Sequence, residues 1–373
     1  MKGDVNMYQL NMDCEGPLTQ NDNAYELCQE FIPEGGRFFS IVSKYDDFLA
    51  DVVKKPGYKA GDTLRLVLPF LKAFGVTDEK MEEFSEKTLV LLPGTEVMLP
   101  LINGLLPSFI ISTSYMPYLE ALCKLTSFPM KNCYCTFVNL DEYFLPKEEA
   151  ETLKALASEI AKMAMIKWPL DAKGHEDLEP LHHKTILRLD EIFWKIIPSM
   201  SIGRILNDVN PIGGQEKARA VEDSVKRTGL ALNHVVYAGD SITDCQALDL
   251  VRNAGGIAIS FNGNRYAIRS AEYAILSDNT CILYGISALL KEKGRDALSG
   301  LGRSERGVLD SKALVDAIRG LGISNEIFSE MEGALERGML EVYYIPDTDF
   351  EWLVEKSEKI RKEVRGHKVG ELG

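Results

Sequence analysis

Apolar and polar positions follow three different rhythms along this chain of 373 residues. Near the start, "MYQLNM" reads as a short, half-apolar strand that runs into the acidic break "DCEGPLT". After Asp22, apolar residues recur at three- and four-residue steps through "AYELCQEFI", "FFSIVSKYDDFLADVV", "TLRLVLPFLKAFG" and "DEKMEEFSEKTLVLL". Punctuated by "PEGG" and "KPGYKAGD", that spacing predicts a helical module over 21–92. The continuous run "SFIIST" then predicts a buried strand, and "CYCTFVNL" a second. "KEEAETLKALASEIAKMAMIKW" and "TILRLDEIFWKII" return to helical spacing and define an insert over 146–204, interrupted by the polar segment "DAKGHEDLEPLHHK". Beyond the loop "NDVNPIGGQ" and the helix "EKARAVEDSVKRTG", the stretch "HVVYAGDSITDCQALDLVRNAGGIAISFNGN" reads as strand, acidic turn, helix and strand. "AEYAILSD" predicts one more strand, and 291–373 reads as a charged helical extension.

Strands separated by helices predict an α/β fold, a doubly wound parallel sheet whose core is assembled from 1–20, 93–145 and 205–290. In that architecture ligands bind beyond the carboxyl ends of the strands. Asp13, Ser112 and Asp240 each follow a predicted strand, so they should meet at one sheet edge. Against this stands the polarity of "MYQLNM", unusual for a central parallel strand.

A net charge of −14 argues against a nucleic-acid partner. Seven cysteines, an odd number, are no disulfide framework, and Cys133 and Cys135 are too close for a zinc-type pair. Reduced thiols in a cytoplasmic protein are the expectation. No leader segment is expected at the N-terminus. The most apolar window, Leu89 to Ser112, holds Glu96 and three prolines, so no membrane-spanning helix is expected there.

Two acidic turns carry the chemistry. "MDCEG" places Asp13 and Glu15 two positions apart, and "GDSITD" places Asp240 and Asp244 four apart at the entry to a helix. Asp13, Asp240 and Asp244 together would form an oxygen-rich pocket suited to a hard cation, with Mg²⁺ the natural choice. An acidic loop capping a helix is the plainer account of "GDSITD" alone.

"MDCEGPLT", "FIISTS", Lys217 and "GDSITD" together resemble the four motifs of the haloacid dehalogenase superfamily of phosphohydrolases, and the helical module between the first two resembles its phosphoserine phosphatase-like branch. The resemblance covers about Met7 to Gln20 and Leu89 to Ser277. It implies that Asp13 attacks phosphorus to form an aspartyl-phosphate and that Glu15 moves the leaving-group proton. It also implies that Asp13, the Glu15 carbonyl and Asp240 hold Mg²⁺, with Asp244 binding directly or through water. Lys217 would neutralise the Asp13 carboxylate and the phosphoryl oxygens, and Ser112 would donate to one of them. The implied activity is hydrolysis of a small phosphorylated metabolite. One departure matters: the family carries Asp where this chain has Glu15, and Glu there also resembles a phosphotransferase that moves phosphate to homoserine. The chain further resembles archaeal proteins known as energy-converting hydrogenase A subunit R, so an assembly subunit on a phosphatase scaffold is a rival, and a homodimer or larger complex stays open.

Other candidates weigh less. Thr113 and Ser114 compete with Ser112, and Lys226 with Lys217. The cluster His175, Glu176, Asp177, His182 and His183 matches no strong metal pattern. Arg37 and the segment Lys44, Tyr45, Asp46, Asp47 could reach a substrate from the module, although a charged helix face accounts for them too.

Overall fold

The computed structural model describes residues 7–304, 306–370 and 372. Its centre is a seven-stranded sheet in the order β3-β2-β1-β4-β5-β6-β7. The strands are β1 (Gln9–Met12), β2 (Ser108–Tyr115), β3 (Cys133–Thr136), β4 (Val235–Gly239), β5 (Ile257–Phe261), β6 (Tyr273–Ser277) and β7 (Leu340–Tyr344). All neighbours pair in parallel except β6 with β7. This is a doubly wound α/β fold with helical insertions. Strand order reverses between β1 and β4, where Asn11 faces Tyr237 and Met12 faces Ala238. Main chains diverge at such a switch point and leave a crevice.

Alternation along the strands supplies two faces. Leu10, Met12, Ile110, Val236 and Ala238 pack against α5 (Thr95–Leu105), α6 (Met116–Thr126) and α13 (Cys281–Lys293). On the opposite face Ile111, Val235, Tyr237 and Ala258 meet α10 (Gln215–Thr228), α11 (Cys245–Asn253) and α12 (Arg265–Ser270). The polar residues of β1 also have a place there. Gln9 and Asn11 are fully buried and donate to Ser224 Oγ on α10 at 2.7 and 2.8 Å. The strand is central because its amides are satisfied by a helix rather than left to the core.

The helical module is α1 (Asn23–Phe31), α2 (Gly35–Asp47), α3 (Thr63–Ala73) and α4 (Asp78–Thr88), with a π turn over Phe48–Val52. The insert provides α7 (Lys147–Ala161) and α8 (Pro180–Glu191), and the short α9 (Ile205–Asp208) follows directly after it. The two share one hydrophobic core: Phe38, Tyr45, Leu66 and Phe70 pack with Leu153, Ile160, Leu189 and Phe193. α7 stops at Ala161, seven residues before the predicted end at Trp168. Arg37 of α2 seals its C-terminus by donating to the carbonyls of Ala161 and Met163 at 2.7 and 2.8 Å.

The tail carries α14 (Asp296–Ser299), α15 (Ser311–Arg319), α16 (Asn325–Glu336), α17 (Phe350–Arg365) and α18 (His367–Gly370). It also adds β7, which the helical reading of 291–373 did not include. "LEVYY" is short, but Leu340 and Val342 alternate into the core, and the antiparallel pairing covers the β6 edge. β3 is likewise shorter than predicted, ending at Thr136. The apolar window from Leu89 folds as α5 and β2, and no described helix is long and apolar enough to cross a membrane.

Candidate active site

Asp13 and Asp240 each leave a strand at the switch point, Asp13 after β1 and Asp240 after β4. One oxygen of Asp13, Oδ1, accepts from the Cys14 N–H at 2.7 Å, and the other accepts from Lys217 Nζ at 2.5 Å. Lys217 comes from the first turn of α10 and is fully buried, while its competitor Lys226 is exposed. Its Nζ also donates to Asp244 Oδ1 at 2.8 Å, so the ammonium lies between two carboxylates. Asp244 accepts from the Tyr237 hydroxyl at 2.8 Å and from the main-chain N–H groups of Asp240 and Ser241 at 3.0 and 3.1 Å. Oxygens of Asp13, Asp240 and Asp244 all lie within 4.8 Å of one another, and among the described residues no other His, Cys, Asp or Glu group is so placed. His175, His182 and His183 form no such group.

Glu15 turns back over this cluster because Gly16 bends the chain. Gly16 has φ +98°, and a Cβ there would sit 2.2 Å from Asp240 Oδ2. Only glycine permits both the conformation and the approach. Glu15 Oε1 accepts from the Asn23 N–H at the start of α1 at 2.8 Å, which ties the turn to the helical module. The module closes from above: Gly61, at φ +94°, brings its backbone against Thr113 and Thr243, where a Cβ would come within 2.9 and 3.3 Å. The resulting cavity, about 80 Å³, is walled by Asp13, Glu15, Asp46, Ser114, Asp240 and Arg361 among others.

Ser112 lies inside β2 rather than beyond it. Its hydroxyl donates to Ser114 Oγ and accepts from the Ser114 N–H, both at 3.1 Å. Thr113 and Ser114 contribute to the cavity wall, and Thr113 Oγ1 is engaged by the Ile212 carbonyl at 3.0 Å. Of the module residues singled out above, Asp46 and Asp47 face the cavity, Lys44 pairs with Asp47 at 3.0 Å, and Tyr45 donates to Asp190 at 2.5 Å on the far side. Arg37 is spent on capping α7.

Three site residues have no counterpart in the sequence reading. Asp22 caps α1, accepting from the Tyr25 N–H at 2.9 Å, and shares the cavity wall. Arg361 and Arg365 arrive from α17 and both donate to Asp240 Oδ2, Arg365 at 2.8 Å. The pair sits four residues apart on the buried stripe Leu353, Ser357, Arg361, Arg365, a periodicity visible in the sequence but masked by its charge.

Burial pushes the Asp13 carboxyl up to about 8, against the pull of the Lys217 ammonium, and the Asp244 and Asp240 carboxylates add to the rise. Lys217 is held protonated: burial acts against its charge, but Asp13 and Asp244 together outweigh it. Burial also holds Glu15 well above the carboxylate range, reinforced by Asp22 and only partly opposed by the Asn23 N–H and Arg365. Burial is the main cause of both carboxyl rises, and the neighbouring acids add to it. Asp13, Glu15, Asp22, Asp46, Asp47, Asp240 and Asp244 stand against Lys217, Arg361 and Arg365, so acidic side chains outnumber basic ones around the cavity. Hard oxygen donors with that surplus suit a divalent cation such as Mg²⁺.

No family model and no curated protein matches the chain. Among solved structures, a gene product of Archaeoglobus fulgidus is similar at 28% identity and a TM-score of 0.76, covering 98% of this chain and 99% of that one. A substrate-bound phosphoserine phosphatase matches at 12% identity and a TM-score of 0.45, over 75% of this chain and 98% of its own. A phospho-aspartyl intermediate analogue of phosphoserine phosphatase matches at 13% and 0.41, over 71% and 91%. The Archaeoglobus fulgidus protein and this one share a fold over almost their whole length.

Proposed function

We propose that the protein is a Mg²⁺-dependent phosphohydrolase acting on a small phosphorylated metabolite through an aspartyl-phosphate on Asp13. The observation that carries this is Lys217, a fully buried ammonium bonded to both Asp13 and Asp244 beside Asp240 at the strand-order switch. Burying a charge is costly, and this one lies where a nucleophilic carboxylate and an incoming phosphoryl group need a cation between them. An oxygen of Asp13 forms the bond to phosphorus as the bond to the leaving alcohol breaks. Glu15 gives that alcohol its proton, which suits a carboxyl that burial keeps protonated. In the second step water attacks phosphorus, its proton passes to Glu15, and the bond to Asp13 breaks.

Asp13, the Glu15 carbonyl and Asp240 would hold Mg²⁺, which when bound supplies charge neutralisation for the phosphoryl oxygens. Asp244 has its oxygens engaged by Lys217, Tyr237 and two main-chain N–H groups, so we assign it to holding Lys217 and to contact with the ion through water. Ser112 would act on the phosphoryl group with its neighbours Thr113 and Ser114. Glu15 in place of Asp also resembles a phosphotransferase, so transfer to a second alcohol is the alternative outcome of the same intermediate. The hydrogenase-subunit resemblance gains nothing from the matched structures described above.

A screen of phosphorylated metabolites with Mg²⁺ and with chelator tests the reading. Mg²⁺-dependent release of phosphate that disappears in Asp13→Asn is expected. Equal turnover in chelator, or Asp13→Asn within tenfold of wild type, defeats it. Added homoserine or another small alcohol that captures the phosphate faster than water assigns the transferase outcome.

A further inference from the structure

The C-terminal helix puts two guanidinium groups into the interior of this site. Arg361 is 2% exposed and Arg365 9%. Arg361 Nη1 donates to Asp240 Oδ2 and to the Asp240 carbonyl at 3.1 Å, and Nη2 to the Leu372 carbonyl at 3.3 Å. Its Nε is buried with no acceptor among the described residues. Arg365 reaches Asp240 Oδ2 with Nη1, the Gln20 carbonyl with Nε at 3.1 Å and the Asn21 carbonyl with Nη2 at 2.8 Å. It therefore bridges the turn that follows Glu15 to the turn that follows β4.

Helix docking alone does not explain these contacts. α17 is already held by Leu353 and Val354, which pack on Ile268, Ala274, Leu276 and Tyr343. Ser357 Oγ adds a bond to the Gly263 carbonyl at 2.6 Å, and Arg265 pairs with Glu351 at 2.8 Å. Two buried guanidiniums share one carboxylate oxygen, and each pays a desolvation penalty. The charge count gives them a purpose. Both arginines and a divalent cation offset part of the acidic surplus, so a phosphoryl dianion enters a less negative pocket. Without the arginines it would enter a pocket more negative by two charges.

We infer that Arg361 and Arg365 make the C-terminal helix part of the active site and set its affinity for the phosphoryl anion. Arg361, which lines the cavity and has a buried Nε donor still unmet, is the anion-binding member. Arg365, bonded to Asp240 and to the Gln20–Asn21 turn, is the second cation that lowers the negative charge met by the anion. Both contacts depend on the proposed phosphohydrolase chemistry for their ligand, inorganic phosphate or a phosphomonoester. Because the arginines repel a divalent cation, their removal should affect the two ligands in opposite directions.

The test titrates Mg²⁺ calorimetrically into full-length Arg361→Met, Arg365→Met and the double variant, then inorganic phosphate into each Mg²⁺-loaded protein. Lys359→Met, the same charge change on an exposed face of α17, is the control. One charge-assisted hydrogen bond is worth roughly ten- to a hundredfold in affinity. Phosphate affinity should fall about a hundredfold in the double variant, while Mg²⁺ affinity stays within about threefold or rises. Arg361→Lys, which keeps the charge, should recover at least part of the phosphate affinity. Unchanged phosphate binding overturns the inference. So does a joint loss of Mg²⁺ and phosphate with a lowered melting temperature, because that marks a structural staple. Wild-type protein that binds Mg²⁺ but no phosphate refutes the phosphohydrolase reading itself and this one with it. A wild type that binds both, with a double variant that also does, refutes only the arginine role.

Discussion

Gly16→Ala is the smallest change that should break the candidate site. A methyl group at Gly16 would lie 2.2 Å from Asp240 Oδ2 and 2.5 Å from its Cγ, on a backbone at φ +98°. The unfavourable dihedral costs about 1 kcal/mol, and forcing a group into a packed interior adds about 1–3 kcal/mol. The carboxylate has to retreat by most of about 1 Å, a displacement that can cost roughly a hundredfold in rate when the group helps to align a reaction. It cannot retreat freely, because Arg361 and Arg365 hold the same oxygen and Gly263 packs behind the Asp240 carbonyl. Urea denaturation should therefore show a loss of about 2–4 kcal/mol, and Mg²⁺ titration of the folded variant should show weakened binding. Turnover of any identified phosphomonoester should fall about a hundredfold. A variant within about 0.5 kcal/mol of wild type that binds Mg²⁺ normally would mean that the Asp13–Gly16 turn and Asp240 are not packed as described.

Further predictions concern the buried charges. Lys217→Met should abolish turnover and destabilise the protein by about 3–5 kcal/mol at neutral pH, because Asp13 and Asp244 lose their shared cation; a stable, active variant in a urea melt and phosphate-release assay would refute this. Asp46 is buried, its carboxyl raised to about 7 by burial and by Asp62, while a bond from the Gly61 N–H at 2.8 Å acts the other way. Its folded value lies above the unfolded value of about 4, so the folded state holds a proton that the unfolded state has lost, and stability should decline as pH rises from about 4 to 7. Asp46→Asn keeps an acceptor for Gly61 and should flatten that decline, gaining up to about 3–4 kcal/mol over wild type at pH 8; melting curves at pH 5 and 8 that shift in parallel for both proteins would count against it.

Much of this site is legible before the structure because its parts are local. An apolar run followed by an acid, in "HVVYAGD" or "QLNMD", is both a strand and the end of one, and two such ends must meet if the strands are neighbours. Lys217 could be selected over Lys226 by its place in the first helical turn after "NPIGG". The arginines of α17 could not. "KSEKIRKEVR" has the composition of a solvated surface helix, and only docking of Leu353 and Val354 on the sheet face turns its 357–361–365 stripe inward. The shared core of module and insert was hidden for a similar reason. Each apolar stripe is evident alone, but the pairing of Tyr45 and Phe193, at a ring separation of 5.8 Å, is a long-range contact that periodicity does not encode. Ser112, Thr113 and Ser114 show a third limit, because periodicity does not fix where a strand ends: β2 runs on to Tyr115, and the wall falls to Thr113 and Ser114 rather than Ser112.

The polar β1 strand, which counted against a parallel sheet, is better understood as part of the mechanism for placing Lys217. On α10 the residues facing the sheet are Lys217, Val221, Ser224 and Thr228, spaced by four, three and four. At one end of that face Thr228 Oγ1 donates to Gln9 Oε1 at 2.6 Å, and Ser224 Oγ receives both Gln9 Nε2 and Asn11 Nδ2. At the other end Lys217 Nζ meets Asp13, four residues beyond Gln9 on the same strand path. An apolar contact between helix and strand would tolerate sliding, since hydrophobic burial is non-directional. Hydrogen bonds from two buried amides do not, because a shift of one residue moves the helix 1.5 Å and leaves those amides unpaired at about 1–3 kcal/mol each. The polarity that makes β1 a poor core strand thus fixes the register of α10, and with it the distance between the ammonium and the carboxylate it serves.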